Sequence, residues 1–113
     1  MKKAIYPGTF DPITFGHIDL IKKSLNIFDQ VIVAVSDGNT KNYLFDANER
    51  EHLIKKALFR DLKFSKKKII VTSFKTLTTD FCKKMKSNVI IRGLRATSDF
   101  EYEFQLAGMN KKL

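Results

Sequence analysis

Five consecutive apolar residues, Val31-Ile-Val-Ala-Val35, constrain this chain most. A half-buried strand alternates apolar and polar side chains, so a β-branched run with no polar face needs cover on both sides. Such a run suits a central strand of a parallel sheet. Parallel neighbours need long crossover connections, usually helices. The chain on either side supplies them.

Ahead of the run, Ala4, Ile5 and Tyr6 form a short apolar strand that stops at Pro7-Gly8. A polar loop follows, and Gly16-His17 opens an amphipathic helix from about His17 to Phe28. Ile18, Ile21, Leu25 and Phe28 share one stripe, while Asp19, Lys22, Lys23 and Asn26 lie off it. Beyond the run, Ser36 to Phe45 is a polar loop holding Asp37-Gly38-Asn39 and Lys41. Asp46-x-x-Glu49 has capping-box spacing and opens a helix through about Leu62, with Leu53, Ile54, Ala57 and Leu58 turned inward. Ile69 to Thr72 is a third strand. Thr78 or Thr79 caps a short helix containing Phe81, Cys82 and Met85. Asn88 to Ile91 is a fourth strand, ending at Arg92-Gly93-Leu94-Arg95. Ser98-x-x-Glu101 reads as a second capping box, opening a helix with Phe100, Phe104 and Ala107 on one stripe that reaches the C-terminus. The expectation is four βα units: an α/β parallel sheet, helices on both faces, right-handed crossovers. No repeat, linker or low-complexity segment interrupts it, so residues 1–113 read as a single domain.

Formal net charge is +9, from 21 Lys and Arg against 12 Asp and Glu. That excess favours anions: phosphorylated metabolites, nucleic acid or acidic membranes. The basic run Lys66-Lys67-Lys68 has no interleaved aromatic or Arg, so it reads as a solvated loop rather than a nucleic-acid patch. No apolar run approaches the roughly 20 residues of a membrane span. The lone Cys82 cannot form an internal disulfide, which makes a reducing cytoplasm the expected compartment.

In a parallel sheet, ligands bind beyond the carboxyl ends of the strands, near a switch in strand order. Four loops converge on that rim: Pro7 to His17, Ser36 to Phe45, the segment after Thr72, and Arg92 to Arg95. They carry Thr9, His17, Lys41, Arg92 and Arg95, groups suited to phosphate. A strand, a glycine-containing loop and a helix start also make an anion site from backbone N–H groups and the helix dipole. Gly16 admits two readings: a plain helix-start glycine, or an absent side chain that lets a triphosphate approach the backbone. His17 is either a surface residue or a phosphate donor. At that end of a helix a free imidazole resists protonation, whereas a bound polyphosphate favours it. Only its place in a strand-end loop singles out Lys41 among the basic residues. Glu103 either reaches the rim or pairs within its helix. His52, inside a helix, reads as structural or exposed. No Ser-His-Asp or Cys-His pairing and no zinc-like spacing is present. Nucleotidyl transfer needs neither; it needs in-line geometry and charge neutralisation.

Two blocks carry a resemblance. Thr14-x-Gly16-His17 matches the [Thr/His]-x-Gly-His signature of nucleotidyltransferases, and Tyr6-Pro-Gly-Thr-Phe-Asp-Pro-Ile-Thr14-x-Gly16-His17 resembles the opening of the bacterial phosphopantetheine adenylyltransferase family. Ile91-Arg-Gly-Leu-Arg-Ala96, Asp99-Phe-Glu-Tyr-Glu103, Gln105-Leu-Ala107 and Met109-Asn110 resemble that family's second block. The resemblance implies a Rossmann-like doubly wound parallel sheet. The implied reaction joins ATP and 4′-phosphopantetheine, giving dephospho-coenzyme A and pyrophosphate without a covalent enzyme intermediate. Carried over by position, Thr9, Phe10, Gly16, His17, Gly93, Leu94, Arg95 and Glu103 would meet ATP. His17 would stabilise the transition state. Thr9, Lys41, Thr78 and Arg92 would hold the acceptor, with Lys41 and Arg92 on its phosphate. Mg²⁺ would arrive on ATP, with no protein ligands of its own. The assembly implied is a homo-oligomer, hexameric in the family, and neither membrane nor nucleic acid is implied as a partner.

The resemblance covers nearly all of this chain, but family members extend well beyond position 113. A further strand that helps to bind ATP, and the terminal helices, have no counterpart here. The expectation is therefore a sheet incomplete at its C-terminus, with an exposed edge and a tendency to associate. Two other readings of function stand beside the first: a ligand-binding remnant impaired in catalysis, and a related nucleotidyltransferase with another acceptor such as nicotinamide mononucleotide.

Overall fold

The computed structural model describes residues 1–38, 42–93, 102–106 and 111–112; for residues 93, 102–106 and 111–112 it describes the backbone path. Strand β1 (Lys3–Gly8) leads to helix α1 (Phe15–Ser24) and strand β2 (Gln30–Ser36). Helix α2 (Ala47–Lys55) continues as a π-helical segment (Lys56–Asp61) before β3 (Ile69–Phe74), α3 (Thr78–Lys84) and β4 (Val89–Gly93). Strands β5 (Tyr102–Leu106) and β6 (Lys111–Lys112) follow.

The sheet order is β3-β2-β1-β4-β5-β6. The first four strands are mutually parallel, with Ile5 level with Ile32 and Ile90, and Ile32 level with Ile70. The first two crossovers build outward from β1 on one side, and the third returns to its other side. The switch in order therefore lies between β1 and β4.

Val31 to Val35 is fully buried, as a run without a polar face requires. Alternate residues serve two cores. Ala4, Tyr6, Val31, Val33, Val35, Ile69 and Ile91 face helices α1 and α2, meeting Leu20, Ile21, Ile54 and Leu58. Ile5, Ile32, Ala34 and Ile90 face α3, meeting Phe81 and Cys82. Phe81 stacks on Phe74 with ring centroids 4.9 Å apart. Each fully buried Val or Ile contributes roughly 1.5–3 kcal/mol of transfer free energy, so two-sided cover is what makes so apolar a strand stable. On α2 the buried positions are Arg50 and Ile54, and on the π-helical segment Leu58, with Leu53 and Ala57 only half-buried.

The local starts differ in one case from the sequence reading. Asp46 caps α2, its Oδ1 accepting from the Glu49 N–H at 2.8 Å, as expected. Helix α3 instead begins after Leu77 with no side-chain cap, and Thr78 is its first residue.

The larger correction concerns the fourth βα unit. The helix expected from Ser98 to the C-terminus is not formed at residues 102–106 or 111–112. Tyr102–Leu106 is a strand, antiparallel to β4, with Ile91 opposite Phe104 and Arg92 opposite Glu103. Tyr102-Glu-Phe-Gln-Leu106 alternates apolar with polar at period two, and the free edge of β4 offers unpaired N–H and C=O groups. Pairing satisfies them. The parallel sheet is thus three βα units plus β4, and β5 extends it antiparallel along β4. The far edge ends in the two-residue Lys111–Lys112; short, lysine-bearing edges resist further pairing.

Candidate active site

The C-terminal ends of β1, β2 and β4 lie side by side, and the site is built on the turn after β1. Phe10 takes a left-handed backbone (φ 49°) and is 1% exposed. Its ring packs edge-on to Tyr6 and His17, with centroids 5.2 and 4.8 Å away. Gly8 makes room for it: a Cβ there would come 3.0 Å from the Phe10 ring. A left-handed non-glycine residue costs roughly 1–2 kcal/mol, so ring burial holds this turn against its own backbone preference.

Helix α1 starts at a reciprocal cap. Thr14 Oγ1 accepts from the His17 N–H at 3.3 Å, and His17 Nδ1 accepts from the Thr14 N–H at 3.0 Å. A capping box normally uses Glu or Gln for the return bond; here the imidazole serves. Since Nδ1 accepts, the proton of the neutral ring sits on Nε2, leaving that nitrogen as the donor. Burial lowers the His17 pKa below its ordinary value. Protonating Nδ1 would also remove the acceptor of the Thr14 N–H, a cost in the same direction. The same fixed, neutral imidazole stands beside the free N–H groups of a helix start.

Gly16 differs from Gly8. A Cβ at Gly16 would meet only Thr14 Oγ1, at an ordinary 3.6 Å. The fold leaves space there, so a need for glycine would come from what approaches the helix start. An anion would be such a visitor.

The second loop is tied to the first by two residues that the sequence reading passed over. Arg50 is fully buried. Its Nη1 donates to Thr9 O and Ser36 O, both at 2.9 Å, and its Nε donates to Phe45 O at 3.0 Å. Nη2 lies 3.5 Å from Asp37 Oδ1 and makes no hydrogen bond; the guanidinium sits 3.9 Å from the centre of the Tyr43 ring. Asp11 answers from the first loop, accepting from the N–H groups of Phe45 (2.8 Å) and Leu44. One signal for Arg50 was available: it lies four residues before Ile54 and eight before Leu58, a charge on the buried stripe.

Of the residues expected to act, Thr9, Phe10, Gly16 and His17 are together on the first turn. Arg92 is exposed at the end of β4, the neighbour of β1, and Gly93 ends that strand. Thr78 is half-buried at the start of α3, on the opposite face of the sheet from α1. Glu103 lies on β5, not on a helix, opposite Arg92. Lys41, Leu94 and Arg95 lie outside the described residues. His52 is exposed. Among the described residues no three His, Cys, Asp or Glu side chains are grouped to hold a metal ion. A groove of about 550 Å³ lies elsewhere, floored by Phe59, Ile69 and Val71 beside Lys55, Lys56 and Arg60; it includes none of the rim residues.

A parallel 3-2-1-4 sheet with a helix start at its switch point defines a Rossmann-like α/β domain. The cytidylyltransferase-like family model matches residues 5–113. Phosphopantetheine adenylyltransferase of Pelagibacter ubique (strain HTCC1062) is 75% identical over 114 residues, covering 100% of this chain and 70% of that protein. The protein of the same name from Francisella tularensis subsp. novicida is 53% identical over 112 residues, covering 99% of this chain and 66% of its own. This chain belongs to the phosphopantetheine adenylyltransferase family. Among solved structures, a bifunctional NMN adenylyltransferase/ADP ribose pyrophosphatase from Francisella tularensis shares the fold. Its TM-score is 0.64 at 18% identity, over 74% of this chain and 26% of that one. Plasmodium falciparum nicotinic acid mononucleotide adenylyltransferase gives 0.61 at 25% identity, over 75% and 44%.

Proposed function

We propose that this chain transfers the adenylyl group of ATP to 4′-phosphopantetheine, releasing pyrophosphate and forming dephospho-coenzyme A. The observation that carries the reading is His17: a neutral imidazole fixed by its Nδ1 at the start of α1, beside the open space at Gly16. The names of the relatives support the choice of acceptor.

In this reading an oxygen of the acceptor's phosphate attacks the α-phosphorus of ATP. The bond from that phosphorus to the bridging oxygen breaks, and pyrophosphate leaves with the electron pair. Thr9, Phe10, Gly16 and His17 take the nucleotide side, joined by Gly93, Leu94, Arg95 and Glu103. Lys41, Thr78 and Arg92 take the acceptor. His17 donates from Nε2 as charge builds on the phosphate oxygens, an interaction strongest in the transition state. Mg²⁺ enters on the triphosphate, as part of the substrate, and neutralises its charge; no protein ligand is assigned to it. The chain works as a homo-oligomer in the cytoplasm. No helix among the described residues is long and apolar enough to cross a membrane.

The test is pyrophosphate release from ATP, Mg²⁺ and 4′-phosphopantetheine by the 113-residue chain. His17→Ala should lower kcat by about 10²–10³-fold, the usual cost of losing one such donor. His17→Gln separates chemistry from folding, since Gln is a standard return partner in a capping box. It should fold like the parent and still lose turnover. Ligand binding without turnover in the parent would favour the remnant reading. Turnover with nicotinamide mononucleotide in place of 4′-phosphopantetheine would replace the acceptor.

A further inference from the structure

A buried guanidinium is costly unless its surroundings repay it. On the stripe of Ile54 and Leu58, Met or Leu would fill the place of Arg50 without a charge. What an apolar residue could not do is collect three carbonyl groups. Thr9 belongs to the turn after β1, Ser36 ends β2 and Phe45 belongs to the loop after β2, and Arg50 bonds to all three. Asp11 returns the tie, accepting from Leu44 and Phe45. The other bonds among the described residues of these turns do not join one to the other: the cap of Thr14 and His17 stays within the first turn, Gly38 N–H donates to the Tyr43 hydroxyl at 3.0 Å within the second loop, and Asp37 N–H donates to Phe74 O at 2.9 Å on β3.

We propose that Arg50, with Asp11, is a positioning pair that sets the end of β2 at Ser36 and the acceptor loop after it, Asp37–Gly38 and Asn42–Phe45, at a fixed distance from the nucleotide turn. This rests on adenylyl transfer as the reaction. In-line transfer requires attacking oxygen and phosphorus to meet within a narrow range, and small misplacements lower the rate steeply. Three of the four polar partners of Arg50 lie on the acceptor side (Ser36, Asp37 and Phe45), so its loss falls mainly there. Lys is not an equivalent, because a single ammonium on a flexible stem cannot reproduce the fork.

The test compares the parent with Arg50→Lys and Asp11→Asn. Steady-state rates give KM for each substrate, calorimetry gives binding of 4′-phosphopantetheine, and hydrogen exchange follows the Leu44 and Phe45 amides against those of Val31 to Val35. For Arg50→Lys, KM and Kd for 4′-phosphopantetheine should rise about tenfold, with KM for ATP changed less than about threefold. Exchange should accelerate at Leu44 and Phe45 and stay unchanged in β2. Asp11→Asn should move the same quantities less, and it carries the test should Arg50→Lys fail to fold. Equal acceleration in loop and β2 would make Arg50 a general stabiliser and overturn the proposal, as would unchanged KM, Kd and exchange. Should the parent show no turnover, adenylyl transfer fails for this chain, and Kd with local exchange still decides whether the pair positions the loop.

Discussion

At the scale of the residue, His17 joins two roles that its type seldom combines. It closes a helix cap and, in the proposed reaction, donates to phosphate. Burial holds its pKa below the ordinary 6.5. The sign of the linkage follows: the unfolded ring takes up a proton as pH falls below about 6.5, while the folded ring resists it. The contribution of His17 to stability is complete above that value and is lost as pH falls through the folded pKa. Urea unfolding at pH 8 and pH 5.5, for the parent and His17→Gln, checks this; the parent should lose more stability between the two. Equal losses would mean that the imidazole is protonated freely in the fold. Its cap was hard to read from sequence, because the return partner is His where the recognised pattern has Glu or Gln. Arg50 was harder still: no local pattern announces that a helical arginine will reach carbonyls from two separate loops.

At the scale of the element, the turn from β1 into α1 carries two glycines with different tasks. Gly8 is needed by the fold, since a Cβ would press on the buried Phe10 ring. Gly16 is not. Gly8→Ala should destabilise by about 1–3 kcal/mol, the usual range for overpacking. Gly16→Ala should leave stability unchanged or raised by up to about 1 kcal/mol, yet weaken ATP about tenfold, near 1.4 kcal/mol. Urea unfolding and calorimetric titration with ATP separate the two. Parent-like ATP affinity in Gly16→Ala would show that phosphate does not use that space. The first four strands were legible because each is a short apolar run bounded by turn residues. The segment after Gly93 was not. Phe100, Phe104 and Ala107 fit a helical stripe, whereas Tyr102, Phe104 and Leu106 fit a strand. The free edge of β4 favours the strand, and a tertiary partner leaves no mark on local periodicity.

At the scale of the whole molecule, charge and apolar surface oppose each other. The net charge of +9 keeps copies apart. Phe15, Leu44 and Leu77 are 88%, 73% and 72% exposed, one at the start of α1, one in the second loop and one at the start of α3. Their burial against other copies would favour association once repulsion is screened. Sedimentation should show species larger than the 13.0 kDa chain, growing as salt rises from about 0.05 M to about 0.5 M and the screening length shrinks. A single 13.0 kDa species at both salts, resistant to urea, would count against the homo-oligomer.

The strand order has a consequence in time. Ile5 pairs with Ile32 on one side and with Ile90 on the other. Closing the longer loop costs about 1 kcal/mol more chain entropy than closing the shorter, since the cost grows as the logarithm of length. On a ribosome, β1 and β2 can meet before β4 has been made. The His17 turn can therefore be organised against a strand with one side still vacant. Arg92 arrives with the last of the parallel strands. A chain interrupted at that stage would hold Thr9, Phe10, Gly16 and His17 without Arg92 and without the nucleotide-side residues from Gly93 onward.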